Sequence, residues 1–280
     1  MFTLPSPGGI RVHVHTWAPD GPPRAVVQIA HGMGEYGGRY ARLAEALTAD
    51  GCAVYAGDHR GHGLTMHAGK GRLGEDGWNE LVADLARITA VVERRHPGVP
   101  VVLLGHSLGS FAAQQYALDH GARLAGLALF GTTALDHLAR AGTGIGPQLL
   151  AAFNQPFQPA RTPADWLSRD PAAIDAYLAD PLCGFSLDTA GFHALAAAAP
   201  RLADPSWVRP DLPVAVFAGE ADPITAGLAP ADLVARRYRD AGLDDVTHHS
   251  YPGARHELLH ETNRDEVTAD LLVWLKRVTA

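Results

Sequence analysis

Residues 100–109, Pro100-Val101-Val102-Leu103-Leu104-Gly105-His106-Ser107-Leu108-Gly109, constrain this chain more than any other stretch. A short apolar run ends in Gly-x-Ser-x-Gly, and residues 110–119 continue with a helix-like pattern. A serine at so sharp a strand-to-helix turn is forced into strained backbone geometry. The residues two positions to either side must then be small to avoid clashes. Such a turn lifts the hydroxyl out of the sheet at the C-terminal end of its strand, where open α/β sheets bind ligands. It also aims the backbone N–H of Leu108, at a helix N-terminus, toward an anion. The pattern alone also suits a plain turn; its place between a buried strand and a helix favours a nucleophile.

The rest of the chain supplies the sheet that such a turn needs. Residues 25–30, 52–56, 101–104 and 214–218 are continuous apolar runs, as expected of strands covered on both faces of a parallel sheet. Residues 10–17 alternate instead, with Ile10, Val12 and Val14 against Arg11, His13 and His15, and read as a half-exposed strand near a sheet edge. Leu81, Leu85, Ile88 and Val92 share one face of a helix that follows Trp78. Val267, Leu271, Trp274 and Val278 do the same near the C-terminus, where Thr262 and Asp265 resemble a capping pair. Alternating strands and helices predict a mostly parallel α/β sheet with right-handed crossovers.

One region breaks the rhythm. After a strand over 124–130, no buried strand is expected before Leu212. The intervening 132–211 carries Leu149, Leu150, Phe153, Phe157, Trp166, Phe185, Phe192 and Leu195 among many prolines. A structureless loop of that length does not suit a compact domain, so this stretch reads as a mainly helical insertion over the sheet.

A serine hydroxyl is a weak nucleophile until a base takes its proton. Of fifteen histidines, His256 in Tyr251-Pro252-Gly253-Ala254-Arg255-His256-Glu257 directly follows the last strand, residues 246–250, and precedes the terminal helix. An orienting carboxylate is expected between nucleophile and histidine in chain order. Asp222 fits, following the strand over 214–218, and Glu220 is its nearest competitor, closer to the strand end. A second oxyanion donor is expected from His31-Gly32-Met33-Gly34-Glu35, where flanking glycines bring the Met33 N–H close to a substrate.

Composition narrows the function by exclusion. Thirty acidic against 23 basic residues give a net charge of −7, which argues against a nucleic-acid surface. Only Cys52 and Cys183 are present, so neither a disulfide framework nor a four-cysteine zinc site is expected. His59 and His62, or His248 and His249, lack the further ligands that a metal needs; residues 58–63 read as a structural loop beside the active site. No phosphate cradle or dinucleotide fingerprint is present, and no cofactor is expected. Residues 1–11 show no secretory signal and no stretch approaches a membrane span, so the expected compartment is the cytoplasm.

Taken together, strand-His31-Gly32-Met33-Gly34-Glu35, Asp58-His59-Arg60-Gly61-His62-Gly63, Gly105-His106-Ser107-Leu108-Gly109, Asp222-Pro223-Ile224 and Gly253-Ala254-Arg255-His256-Glu257 resemble, in order and over nearly the whole chain, the α/β-hydrolases. Within that superfamily the chain resembles the monoacylglycerol lipase and lysophospholipase branch. The resemblance implies Ser107 as nucleophile, Asp222 as acid, His256 as base, and the Met33 and Leu108 amides as oxyanion hole. It also implies a core over 1–131 and 206–280 with a helical cap over 132–205. The implied substrate is a small-molecule acyl ester: a monoacylglycerol, a lysophospholipid or a smaller ester. An amidase, peptidase or carbon–carbon hydrolase would use the same triad, and a non-catalytic scaffold would have the same fold. An apolar roof over the pocket admits transient contact of the cap with a lipid surface. Tyr36 stands where many members carry histidine and Thr65 where serine is common, and the cap matches only at Ser168-Arg169-Asp170-Pro171 and Asp180-Pro181-Leu182.

Overall fold

The computed structural model describes residues 1–140, 152–225 and 228–280. Eight strands form one sheet in the order β1-β2-β4-β3-β5-β6-β7-β8. They are β1 Phe2–Ser6, β2 Ile10–Trp17, β3 Ala25–Ala30, β4 Cys52–Gly57, β5 Val101–His106, β6 Gly126–Phe130, β7 Val214–Gly219 and β8 Val246–Tyr251. From β4 to β8 neighbouring strands are parallel, whereas β1 and β2 run antiparallel. The edge is therefore β1, which the sequence reading does not include, and the alternating β2 lies one strand inside it. Pro5 and the short, half-exposed pattern of β1 hide its period.

Strands β3 to β7 are buried along their whole length, as their continuous apolar runs predict. Their side chains alternate between two cores. Val26, Val101, Leu103, Val214 and Val216 pack on one face, against α2 (Gly77–Arg95), α3 (Leu108–His120) and further helices. Val27, Ile29, Val102, Leu104, Ala215 and Phe217 pack on the other, against α1 (Ala41–Ala49) and the C-terminal helix. Helix α3 shows no amphipathic stripe because its residues from Leu108 to Ala117 are all buried, with α2 lying against it.

Between β6 and β7 the described residues contain no strand. They form α4 (Leu135–Arg140), 3₁₀ turns at Gln155–Phe157 and Asp165–Leu167, α5 (Pro171–Ala179) and α6 (Thr189–Leu202). Leu149 and Leu150, two of the predicted cap residues, lie outside the described residues. Phe192, Leu195 and Leu202 of α6 join the same core as α2 and α3. Asp170 caps α5 by accepting from the Ala172 N–H at 3.0 Å, and Arg169 pairs with the buried Glu261 at 2.9 Å.

Helices α7 (Ala229–Asp240) and α8 (Arg264–Val278) complete the core. The expected capping pair at Thr262 and Asp265 is not what starts α8. Asn263 holds the cap position and its side-chain amide donates to Glu266 at 2.9 Å. Thr262 is instead turned toward Glu261, whose Oε2 accepts its N–H at 2.8 Å. Arg169 Nε donates to the same oxygen at 2.9 Å.

Among the described residues no helix is long and apolar enough to cross a membrane.

Candidate active site

The order of the strands locates the site before any side chain is considered. From β3 the chain moves outward to β4 and then returns to place β5 on the other side of β3. Ligands of open α/β sheets bind in the crevice at such a reversal, beyond the carboxyl ends of the strands. The loop 31–35 follows β3 and the Ser107 turn follows β5, so both open into it.

Ser107 has φ 52° and ψ −118°, the strained conformation that its sequence context predicts. A Cβ on Gly109 would stand 2.1 Å from the Ala30 carbonyl oxygen, and one on Gly105 would stand 2.5 Å from that of Gly109. Gly109 is therefore needed for the turn to pack against the end of β3, and Gly105 for α3 to start so close over β5. The Ser107 N–H donates to the Phe130 carbonyl at 3.0 Å, which anchors the turn to β6. The Leu108 amide opens α3, where the first N–H groups have no partner within the helix.

His256 comes from the loop after β8 yet lies over the end of β6. A Cβ on Gly131 would be 3.0 Å from its Nδ1 and Cε1. The loop is folded back there by main-chain bonds, Ala221 N–H to Ala254 O at 2.9 Å and Glu220 N–H to Tyr251 O at 3.1 Å. This puts the imidazole between β5, which carries Ser107, and β7, which precedes Asp222. His256 Nδ1 lies 2.8 Å from Asp222 Oδ2, and the Ile224 N–H holds Asp222 Oδ1 at 2.9 Å. His256 and Asp222 are both about 1% exposed. Glu220 is exposed, with Ser250 Oγ 3.4 Å from its Oε1, and takes no part in this pairing.

The remaining nitrogen, His256 Nε2, is buried and makes no hydrogen bond. Ser107 and His256 line the same cavity, together with Met33 and Leu108. The hydrogen bond from Ser107 to His256 is thus not made in this structure, and one nitrogen of the imidazole stays open beside the serine. Catalytic hydrogen bonds are often long in a free enzyme and tighten around substrate.

The rest of the cavity is divided. Phe111, Leu138, Phe153, Trp166, Leu167, Phe185, Phe192, Leu195 and Ile224 give it an apolar wall. Trp166 covers the imidazole of His256, ring centres 5.1 Å apart. The polar end has Glu35, His106 and Glu257, none of which the sequence reading assigns a role. Burial opposes charge on Glu35, yet Arg39 and His106 hold its carboxyl well below the ordinary range. Burial likewise opposes charge on Glu257, and Arg39 holds it low. His106 is carried upward by Glu35 against its own burial. The visible signal was adjacency: Glu35 closes the glycine loop, His106 precedes the nucleophile and Glu257 follows the base.

Residues 58–63 lie against the loop 31–35. Ring centres of His31 and His59 are 4.0 Å apart and those of His31 and His62 are 5.3 Å apart. Four of their six nitrogens are committed to main chain: His31 Nδ1 to Gly32 O at 2.7 Å, His31 Nε2 to the His59 N–H at 2.9 Å, His59 Nε2 to His31 O at 3.0 Å and His62 Nδ1 to Arg60 O at 2.9 Å. Burial pushes His59 down to about 3. Among the described residues no three or more His, Cys, Asp or Glu are placed to hold a metal ion. Tyr36 and Thr65 also have structural bonds here, Tyr36 OH to Asp180 at 3.0 Å and the His13 N–H to Thr65 Oγ1 at 2.9 Å.

A mostly parallel sheet of this order, with a serine on a strained turn after its central strand, defines an α/β-hydrolase of the serine type. The family model described as serine aminopeptidase, S33 (Hydrolase_4) matches residues 21–263, and the chain belongs to that family. The chain is 30% identical over 277 residues to the monoacylglycerol lipase of Mycolicibacterium smegmatis, covering 96% of this chain and 94% of that one. It is 28% identical over 257 residues to the monoglyceride lipase of Mus musculus, covering 88% and 84%. Among solved structures, a highly thermostable carboxyl esterase from Bacillus coagulans in complex with glycerol superposes with a TM-score of 0.88 at 27% identity, covering 100% of this chain and 98% of that one. The chain is accordingly a serine hydrolase.

Proposed function

We propose that this enzyme hydrolyses monoacylglycerols and related small acyl esters, with Ser107 as nucleophile, His256 as base and Asp222 as its orienting acid. The observation that carries the reading is the His256 imidazole, held by Asp222 through Nδ1 with Nε2 unpartnered in the cavity that Ser107 lines. In the reaction His256 takes the proton of Ser107 as its oxygen attacks the ester carbonyl. Asp222 fixes the tautomer and stabilises the imidazolium. The Met33 and Leu108 N–H groups receive the oxyanion. Collapse of the tetrahedral intermediate breaks the ester bond, and His256 returns the proton to the departing alcohol. Water, activated by the same imidazole, then releases the acid and restores the serine.

The substrate class follows from the cavity wall. Its apolar side suits an acyl chain, and the residues between β6 and β7, acting as the cap, supply much of that side, which also supports brief contact with a lipid surface. No Lys or Arg is among the described residues that line the cavity, which favours an uncharged alcohol such as glycerol over a phosphate-bearing headgroup. The similar lipases and the glycerol-bound esterase support the same substrate class. An aminopeptidase, as the family description names it, must hold a free ammonium group. Here Glu35 and Glu257, the two carboxylates at the cavity, are already paired with Arg39.

The test is a panel of matched glycerol esters, p-nitrophenyl esters and amides. Wild type is expected to turn over the esters far faster than the amides, and Ser107→Ala to lose roughly 10⁴-fold or more in kcat. Undiminished turnover by Ser107→Ala, or a preference for amides bearing a free amine, would reject the proposal.

A further inference from the structure

The polar end of the cavity belongs to a buried assembly that the reaction as written does not use. Glu35 is 1% exposed and both of its oxygens are occupied. Oε1 accepts from the Gly32 N–H at 2.6 Å and from Tyr40 OH at 2.9 Å, and lies 3.0 Å from His106 Nδ1. Oε2 accepts from Arg39 Nη1 at 2.7 Å. Arg39 in turn grips Glu257 with two bonds, of 2.7 and 2.8 Å. The other nitrogen of His106 lies 3.4 Å from the carbonyl oxygen of His256.

These contacts join three loops that the chain brings together from far apart. Gly32 precedes Met33, the proposed oxyanion donor; His106 precedes Ser107; Glu257 follows His256. Carboxylate and imidazole pack so closely on the first loop that a Cβ on Gly32 would lie 2.8 Å from both Glu35 Oε1 and His106 Nδ1. With three donors on Oε1 and the Arg39 cation on Oε2, Glu35 is held in its ionised form and is unsuited to trade protons with a substrate. What it can do is hold main chain in place. A charged group buried among four fixed donors is a stiff joint, since any movement leaves a charge without its partner.

We infer that Glu35 is a positioning residue, the common joint that sets the Met33 amide, the Ser107 turn and the His256 imidazole at their working separations. The inference rests on the triad proposed above. It goes beyond that assignment by naming what holds the nucleophile, base and oxyanion donor in register, a task to which small errors are costly. Displacement of a reacting group by about 1 Å can cost about 100-fold in rate.

The experiment compares Glu35→Ala, Glu35→Gln and Tyr40→Phe with wild type on one soluble ester, each preparation titrated with a fluorophosphonate so that kcat is expressed per reactive serine. Glu35→Ala is expected to lower kcat per titrated site about 100-fold while KM stays within about threefold. Glu35→Gln, whose amide oxygen still accepts from Gly32 and Tyr40, is expected to recover a clear part of that loss. Tyr40→Phe, which removes one donor and leaves the loop joint, is expected to lose less than either. A merely structural role would lower the titratable fraction and leave kcat per site unchanged, and that result overturns the inference. Should Glu35→Ala not fold, Glu35→Gln decides: a kcat per site within twofold of wild type overturns the inference, and a larger loss at constant KM supports it. Ser107→Ala, run beside these, separates the two proposals. An active Ser107→Ala removes the triad, whereas an inactive one beside fully active Glu35 variants removes only the joint.

Discussion

The loops beyond β3, β5, β7 and β8 and the segment between β6 and β7 meet at one cavity, yet they present different surfaces to it. The loops are tied by short polar bonds among buried groups: Glu35 to Gly32, Arg39 to Glu257 and Asp222 to His256. The segment above them presents Trp166, Phe185, Phe192 and Leu195, which meet the cavity through apolar surface. Directional bonds fix atoms to fractions of an ångström, as proton transfer requires. Apolar contact is non-directional and tolerates many shapes, as an acyl chain requires. The two regions are joined by polar bonds as well, among them Glu257 N–H to Leu167 O at 2.7 Å, Gly184 N–H to Gly34 O at 3.0 Å and Arg169 to Glu261 at 2.9 Å. On the proposed function, chemistry and substrate choice fall to separate parts that share a boundary.

That division can be broken first in the loops. Asp222→Asn would leave the packing intact and stabilise the wrong imidazole tautomer, so kcat should fall by about 10⁴. Glu220→Gln, at an exposed side chain, should stay within about twofold of wild type, the scale of an ordinary surface change. Steady-state kinetics on one ester checks both, and an unchanged rate in Asp222→Asn beside a large loss in Glu220→Gln would return the acid to Glu220.

A change above the cavity should act differently. Trp166→Ala removes an apolar wall over His256 and is expected to lower kcat/KM for a long-chain ester about tenfold, from lost burial of the kind that stabilises a large side chain by about 1.5–3 kcal/mol. Acetate esters should lose much less. A loss equal across chain lengths would show that Trp166 serves the imidazole and not the acyl chain.

The smallest expected effect concerns stability and acid. Burial lowers His31 and His62, and brings His59 to about 3 and His260 to about 4. An unfolded histidine titrates near 6.5, so below that pH the unfolded chain binds protons that these four refuse. Their contribution is complete above about pH 6.5 and is lost progressively as pH falls toward 4 and 3. His106, raised by Glu35, works in the opposite direction: its contribution is present below about 6.5 and is lost as pH rises through its raised folded value. Burial lowers His96 and His248 too, and six groups against one predict a Tm that declines from about pH 6.5 downward, before most carboxylates titrate. Thermal melts between pH 8 and 5 test this; a Tm that holds flat across that range contradicts it.

How much of this was legible in the sequence differs in the same way between the two regions. Continuous burial made β3 to β7 visible, and the strained turn at Ser107 follows from glycines required by close approach, Gly109 to the end of β3 and Gly105 to the start of α3. Asp222 and His256 were legible because each directly follows a strand. The edge strand β1 was not, since its period is masked by proline and partial exposure. Nor was the joint at Glu35, because it exists only once three distant loops meet; in the sequence Glu35 and Glu257 appear inside motifs without a role of their own. Trp166 and its neighbours read as an apolar set without individual roles, since apolar contact leaves no spacing that says what is being touched.

The account depends above all on an activated hydroxyl at position 107 beside the open nitrogen of His256. Fluorophosphonate labelling followed by peptide mapping addresses it without any assumption about substrate. A single adduct on Ser107, absent in Ser107→Ala and formed far more slowly in His256→Gln, is the predicted result. An adduct on a different serine, or labelling of Ser107 at an undiminished rate in His256→Gln, would contradict it.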